Sequence, residues 1–132
     1  MGDAAYISKI EDYLYQKLKV VSKNVYAGHL PSTLPSSKTT FVVIDCSGAI
    51  YDNDAYHSGV IAIYLYAAPS SNLKNVAKLY EMEKKYTEDF LADSDNENYS
   101  IVELTRKTDY DSSYGLDFIY SAINIIIKEE NE

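Results

Sequence analysis

Few residues in this chain could do chemistry, and they fall into three groups. Cys46 with the paired His57 and Ser58 offers a nucleophile and a base. Asp93, Asp95 and Glu97 alternate like the first ligands of a calcium loop, and Asp109 and Asp111 begin the same pattern. His29 and His57 are the two imidazoles available to a transition metal. Each group lacks a part its chemistry requires. A calcium loop starting at Asp93 needs glycine at its sixth position and glutamate at its twelfth, where the chain has Asn98 and Leu104; counted from Asp109, the twelfth residue is Tyr120. These acids read as solvated turns. No Gly-x-Ser-x-Gly elbow marks a nucleophilic serine, the histidines have no cysteine partners at zinc-ligand spacing, and no glycine-rich phosphate loop occurs. Asn98-Tyr99-Ser100 matches a glycosylation acceptor and reads as accidental without a secretion signal. The expectation is a noncatalytic chain with no cofactor and no metal.

Composition points instead to assembly. The 132 residues include fourteen Tyr, three Phe and no Trp, with many tyrosines in strand-like runs or polar connections. Tyrosine joins an apolar ring to a polar tip, which suits surfaces wet in the free chain and covered in a complex. Length and a hydrophobic content of 46% suit one domain with a real core, expected over 1–132 with 129–132 frayed. A net charge of −8 disfavours sequence-independent grip on nucleic acid, which depends on Lys and Arg neutralising phosphates. The single Cys46 forms no internal disulfide and fits a reducing compartment. The N-terminus lacks the basic region and apolar core of a signal peptide, Tyr6 stands where a myristoylation motif needs Ser or Thr, and no apolar run approaches the roughly 20 residues that span a bilayer.

The elements that would position these residues follow from spacing. Ile7, Ile10, Leu14, Leu18 and Val21 repeat at three and four, the stripe of an amphipathic helix that Asp3 can cap. Pro31 and Pro35 make His29 to Ser37 an extended connection. Thr40 to Cys46 is a β-branched strand, and Ser47 to Ser58 is polar enough for a long hairpin loop. In the strand Val60 to Ala67, Ile61, Ile63 and Leu65 share one face and Tyr64 and Tyr66 the other. A second helix is expected from about Asn72 to Leu91, with Val76, Leu79, Tyr86 and Phe90 inward. After an acidic linker at 93–98 come strands Tyr99 to Lys107 and Leu116 to Lys128, joined by a turn-rich stretch from Asp109 to Gly115. The class expected is α+β, a mainly antiparallel sheet of about four strands with two helices on one face.

Val25-Tyr26-Ala27-Gly28-His29-Leu30-Pro31, then Thr40 to Ile44, then Val60 to Ala67 and a helix from near Asn72, resemble the small tail-completion or tail-terminator proteins of long-tailed bacteriophages and prophages. The resemblance spans most of the chain as an order of elements and carries no catalytic signature. It implies a noncatalytic protein that closes into a ring, commonly of six copies, at the end of the tail tube and helps join tail to head. Its partners would be itself, tail-tube proteins and head-connector proteins, with DNA passing but not bound. Its place would be the virion tail or neck, and the bacterial cytoplasm before assembly. A ring needs two different patches per subunit. The candidates are Tyr51, Asp52, Asp54, Tyr56 and His57 in one polar loop, Tyr110 and Tyr114 in the other, and Tyr64 and Tyr66 on the strand face. Acids such as Asp52, Asp54, Asp93, Asp95 and Glu97 would repel DNA from a channel wall. Two alternatives stay open: an acidic monomeric module that binds or inhibits a basic protein, and, with less support, a small hydrolase built on Cys46 and His57.

Overall fold

Ile10, Leu14 and Leu18 are fully buried, so the spacing of three and four is the inward stripe of helix α1 (Asp3–Lys17) and of the 3-10 turn that continues it (Leu18–Val20). Each such side chain contributes about 1.5–3 kcal/mol by leaving water. A computed structural model of the chain describes residues 3–33, 40–46, 50–52, 56–68 and 76–128. Six strands follow the first helix: β1 (Val25–Ala27), β2 (Thr40–Asp45), β3 (Ile50–Asp52), β4 (Tyr56–Ala67), β5 (Tyr99–Asp111) and β6 (Leu116–Lys128). Helix α2 (Val76–Lys85) lies between β4 and β5 and runs on through a π-helical turn (Tyr86–Phe90) and a 3-10 turn (Leu91–Asp93). No described helix is long and apolar enough to cross a membrane.

The fold is α+β, two helices on a mostly antiparallel open sheet whose main path is β1-β2-β4-β6-β5. β1 pairs parallel with β2, and every other pairing among the described strands is antiparallel. β4 and β6 form the spine, paired from Tyr56↔Lys128 to Ala67↔Asp117. The opposite edge of β4 is shared, with β2 on Ala62 to Ala67 and β3 on His57 to Gly59. Both helices pack on one face. Ile10, Leu14, Leu79, Met82, Tyr86 and Phe90 meet Val42, Ile44, Ile61, Ile63, Leu65, Ile123 and Ile125 there.

The class is as expected, and three details differ. The sheet is wider than four strands. β1 forms because Ser22 and Asn24 fix the chain against Thr40: Asn24 Nδ2 donates to Thr40 O at 2.9 Å, and the Val42 amide donates to Asn24 O at 2.8 Å. The expected loop from Ser47 to Ser58 contains β3 and the first residues of β4, so Tyr51, Asp52, Tyr56 and His57 occupy ladder positions, not a free loop. Backbone pairing, of Tyr56 and His57 with β6 and of Tyr51 and Asp52 with β4, overrides their polar composition. Asp109, Tyr110 and Asp111 likewise extend β5, leaving a turn only at Ser112–Gly115. Gly115, at φ +68, supplies the left-handed residue of that turn, and its amide donates to Asp111 O at 2.8 Å. Asp54, the expected helix start near Asn72 and the terminal residues 129–132 lie outside the described residues.

One irregularity sets which way β5 faces. The ladder skips from Glu103↔Ile123 to Thr105↔Ala122, so Leu104 is an extra residue in a β-bulge. Odd residues face the helices before it and even residues after it. Glu103 and Arg106 therefore lie on the same side and form a two-pronged ion pair, with Nε to Oε2 at 2.8 Å and Nη2 to Oε1 at 3.0 Å. Arg106 Nη1 also donates to Thr87 Oγ1 at 2.8 Å and to Glu83 Oε2 at 3.3 Å. The buried Tyr86 hydroxyl donates to Ser121 Oγ at 2.8 Å, and Ser121 Oγ to Glu103 Oε2 at 2.6 Å. This chain of bonds clamps α2 and its π turn to the bulge.

Candidate assembly surface

Tyr26, Tyr64, Tyr66, Tyr114 and Tyr120 collect on the face of the sheet away from the helices. Strand alternation turns Tyr64 and Tyr66 to this side because Ile63 and Leu65 are drawn into the helix-facing core. The register then sets rows across the sheet. One runs Tyr26, Val43, Tyr64, Tyr120, Lys107, and the next runs Phe41, Tyr66, Phe118, Asp109. Tyr64 contacts three rings, with centroid distances of 6.2 Å to Tyr66, 5.8 Å to Phe118 and 5.4 Å to Tyr120. Lys107 Nζ lies 5.4 Å from the Tyr120 ring centroid, a cation–π contact that caps the row. Beyond the aromatics, the row Val60, Asn124, Val102 continues the face, with Val60 and Val102 43% and 56% exposed. Among the described residues no helix covers this face; Phe41, Val43 and Tyr66 are buried within it, and Val60 and Val102 are its exposed apolar positions.

One end of the face is partly roofed. Leu30 is buried against Phe41, Val43, Tyr66 and Leu116, and Tyr114 packs on the same group with its hydroxyl 3.4 Å from Leu30 O. Burial there pushes the Tyr66 hydroxyl up to about 12, aided by the charges of Asp111, Tyr64 and Tyr114. Tyr64 is raised in the same direction, first by burial and then by Asp45 and Tyr120. Both hydroxyls therefore stay neutral donors at physiological pH.

Of the residues singled out from sequence, Tyr64, Tyr66 and Tyr114 come together here. Tyr110 does not. The bulge places it on the helix side of β5, opposite Asp117, where it is 51% exposed. Tyr51, Asp52, Tyr56 and His57 take ladder positions at the other end of β4. Ten residues of strand separate Tyr56 from Tyr66, about 33 Å. The Tyr51–His57 positions and the group of Tyr64, Tyr66 and Tyr114 thus sit toward opposite ends of β4. Tyr26, Phe41, Phe118 and Tyr120 belong to the surface and were not among the expected residues. Their signal was alternation: Phe118 and Tyr120 recur with period two in Leu116–Lys128, as Tyr64 and Tyr66 do in β4.

The candidate chemical groups are placed differently. Cys46 is buried in the helix-side core, and burial, with Glu11 and Asp45 nearby, pushes its thiol up to about 12, so it is not an activated nucleophile. His29 Nδ1 lies 2.8 Å from Leu30 O in a backbone contact. Asn96 of the acidic stretch organises a turn, its Oδ1 accepting from the amides of Asn98 at 2.9 Å and Tyr99 at 3.0 Å. Among the described residues, no three His, Cys, Asp or Glu are grouped to hold a metal ion.

No protein-family model and no curated protein matches the chain. Among solved structures 23 chains match. One is a chain of a structure described as "Virion of native gene transfer agent (GTA) particle": it superposes with a TM-score of 0.61 over 88% of this chain and 92% of its own length, at 12% identity. The two share a fold over nearly their whole lengths. Fold and surface together define the class: an α+β chain with helices on one side of an open sheet and an aromatic face on the other.

Proposed function

We propose that the chain is a noncatalytic structural protein of a phage-like particle, acting as a tail-completion or tail-terminator subunit that closes into a ring at the tail-tube end. The observation that carries this reading is the likeness, over 88% of the chain, to a component of a gene transfer agent virion. The aromatic face supports it. A ring subunit needs two unlike patches that meet around a closed axis; in this reading one is the aromatic face with Tyr64, Tyr66 and Tyr114 and the exposed Val60 and Val102, and the other lies at the far end of β4, at the ladder positions Tyr51, Asp52, Tyr56 and His57. The partners in this reading are further copies, the tail tube and the head connector. The net negative charge keeps passing DNA from adhering.

The test is the mass of the purified chain by light scattering, alone and after addition of tubes assembled from the cognate tube protein. The expected result is a species several times the 14.9 kDa chain, formed alone or on tube ends, and tubes that stop growing. Val60→Asp with Val102→Asp, both at exposed positions, should abolish it without unfolding the chain. A chain that never exceeds a dimer and leaves tube ends growing overturns the reading. A groove of about 460 Å³ beside the stacked rings of Tyr13 and Tyr99, walled by Asp93 and Glu97, favours the acidic binding module as second reading. A stable one-to-one complex with a basic protein, lost on Asp93→Lys with Glu97→Lys, would select it.

A further inference from the structure

The two edges of the sheet are unlike. On one side the path ends in β1, three residues long, while on the other β5 runs thirteen residues. Among the described residues, only the start of β5 is covered on its outer side, where Asp95 bridges Ser100 and the Asn96 amide donates to Tyr99 O at 2.9 Å. From Ile101 to Asp111 no strand among the described residues pairs with that edge. Open edges of this length recruit strands, and proteins restrain them with charges and bulges. β5 has both, and its charges are ordered in a way that restraint alone does not require.

Outward from Thr108 the strand is self-complementary. In an antiparallel pairing of two β5 strands centred on Thr108, Lys107 of each copy faces Asp109 of the other, and both residues lie on the aromatic side of the sheet. On the helix side, Arg106 faces Tyr110. Arg106 is already held by Glu103, Glu83 and Thr87, whereas Lys107 makes a 5.4 Å cation–π contact with Tyr120 and no ion pair among the described residues, so the charge match rests on Lys107 and Asp109. Both are exposed. Asp109 Oδ1 accepts from the outward Tyr110 amide at 2.8 Å, a bond that covers this edge donor in the single chain and is exchanged on pairing for one to the Arg106 carbonyl of the second copy. A register shifted by one residue breaks both pairs and turns the second sheet over. A shift of two residues, centred on Asp109, sets Lys107 opposite Asp111 but brings the two Asp109 carboxylates together, so the charges favour the register centred on Thr108.

We infer that β5 joins β5 of a second copy across a two-fold axis at Thr108, making one continuous sheet of two chains. Such an isologous contact closes at two copies. It is separate from a ring interface and describes the chain away from the tube. The docked surface is a strand edge whose occupant is an identical strand.

Three variants decide it: Lys107→Asp, Asp109→Lys, and the double exchange, each measured by light scattering across a concentration series at low salt, with denaturant midpoints confirming the fold. The wild-type mass should rise from 14.9 kDa toward twice that value. Each single variant places like charges opposite one another at two sites and should weaken association about tenfold or more. The double exchange should restore it. An equimolar mixture of the two single variants should do the same, because the paired acids of one copy then meet the paired lysines of the other. A wild-type chain that stays at monomer mass overturns the inference, as do single variants that dimerise like wild type, or single losses that neither exchange nor mixing repairs. Rings that form on tube ends equally in all variants leave the proposed function standing whichever way the solution dimer is decided.

Discussion

Individual side chains set two measurable properties. Tyr66 titrates at about 12 in the fold against an ordinary value near 10, and Tyr64 and Tyr99 are raised as well, burial being the first cause in each. Folding favours their neutral forms, so the stability they contribute is complete below about pH 10 and drains away as pH climbs toward 12. Tyrosinate absorbance should show these groups ionising late, together with unfolding, and Tyr66→Phe should make stability less sensitive to pH in that window. The second property is the clamp at the bulge. Ser121→Ala leaves the Tyr86 hydroxyl buried without its acceptor and should cost about 1–3 kcal/mol in urea unfolding. Adding Tyr86→Phe should return part of that loss, since the stranded hydroxyl is gone.

At the scale of elements, the bulge is the most sensitive single position. Leu104 is 56% exposed, so Leu104→Ala should change stability by no more than about 0.5 kcal/mol. Deleting it closes the ladder and forces one half of β5 to exchange faces, exposing Tyr99 and Ile101 or tearing Arg106 from Glu103. Denaturant unfolding should show the deletion costing several times more than the substitution. The same position shows what a sequence can and cannot disclose. The stripe from Ile7 to Val21 and the alternation of Ile61, Ile63 and Leu65 against Tyr64 and Tyr66 are periodic over several repeats, and both elements were legible. Val25–Ala27 and Ile50–Asp52 are too short to carry a period, and they exist because Thr40 and the edge of β4 receive them. A bulge leaves no periodic trace at all. The turn-rich composition of Asp109 to Gly115 puts Tyr110 beside Tyr114 in one connection, whereas β5 runs on through Asp111 and the bulge sets Tyr110 on the helix side of the sheet.

For the whole molecule, the sheet divides into an interior and a margin. β4 and β6 are paired along both edges for most of their length, and their residues include Ile61, Ile63, Leu65, Ile123 and Ile125, all fully buried. Native-state hydrogen exchange should find their amides released only by global unfolding, while outward amides of β5 exchange orders of magnitude faster. Protection appearing on Arg106 to Tyr110 at high protein concentration would be the signature of strand pairing between copies. The β4–β6 spine also has a directional consequence. Its hydrogen bonds lie perpendicular to the strands over twelve consecutive register positions. A pull along the strand axis loads these bonds simultaneously, in shear, whereas a pull across the axis opens them one after another from an end. The domain is therefore mechanically anisotropic, stiff lengthwise and easy to unzip sideways: pulling between handles at Tyr56 of β4 and Asp117 of β6, at opposite ends of the ladder, should need far more force than pulling between Tyr56 and Lys128, which lie side by side at one end.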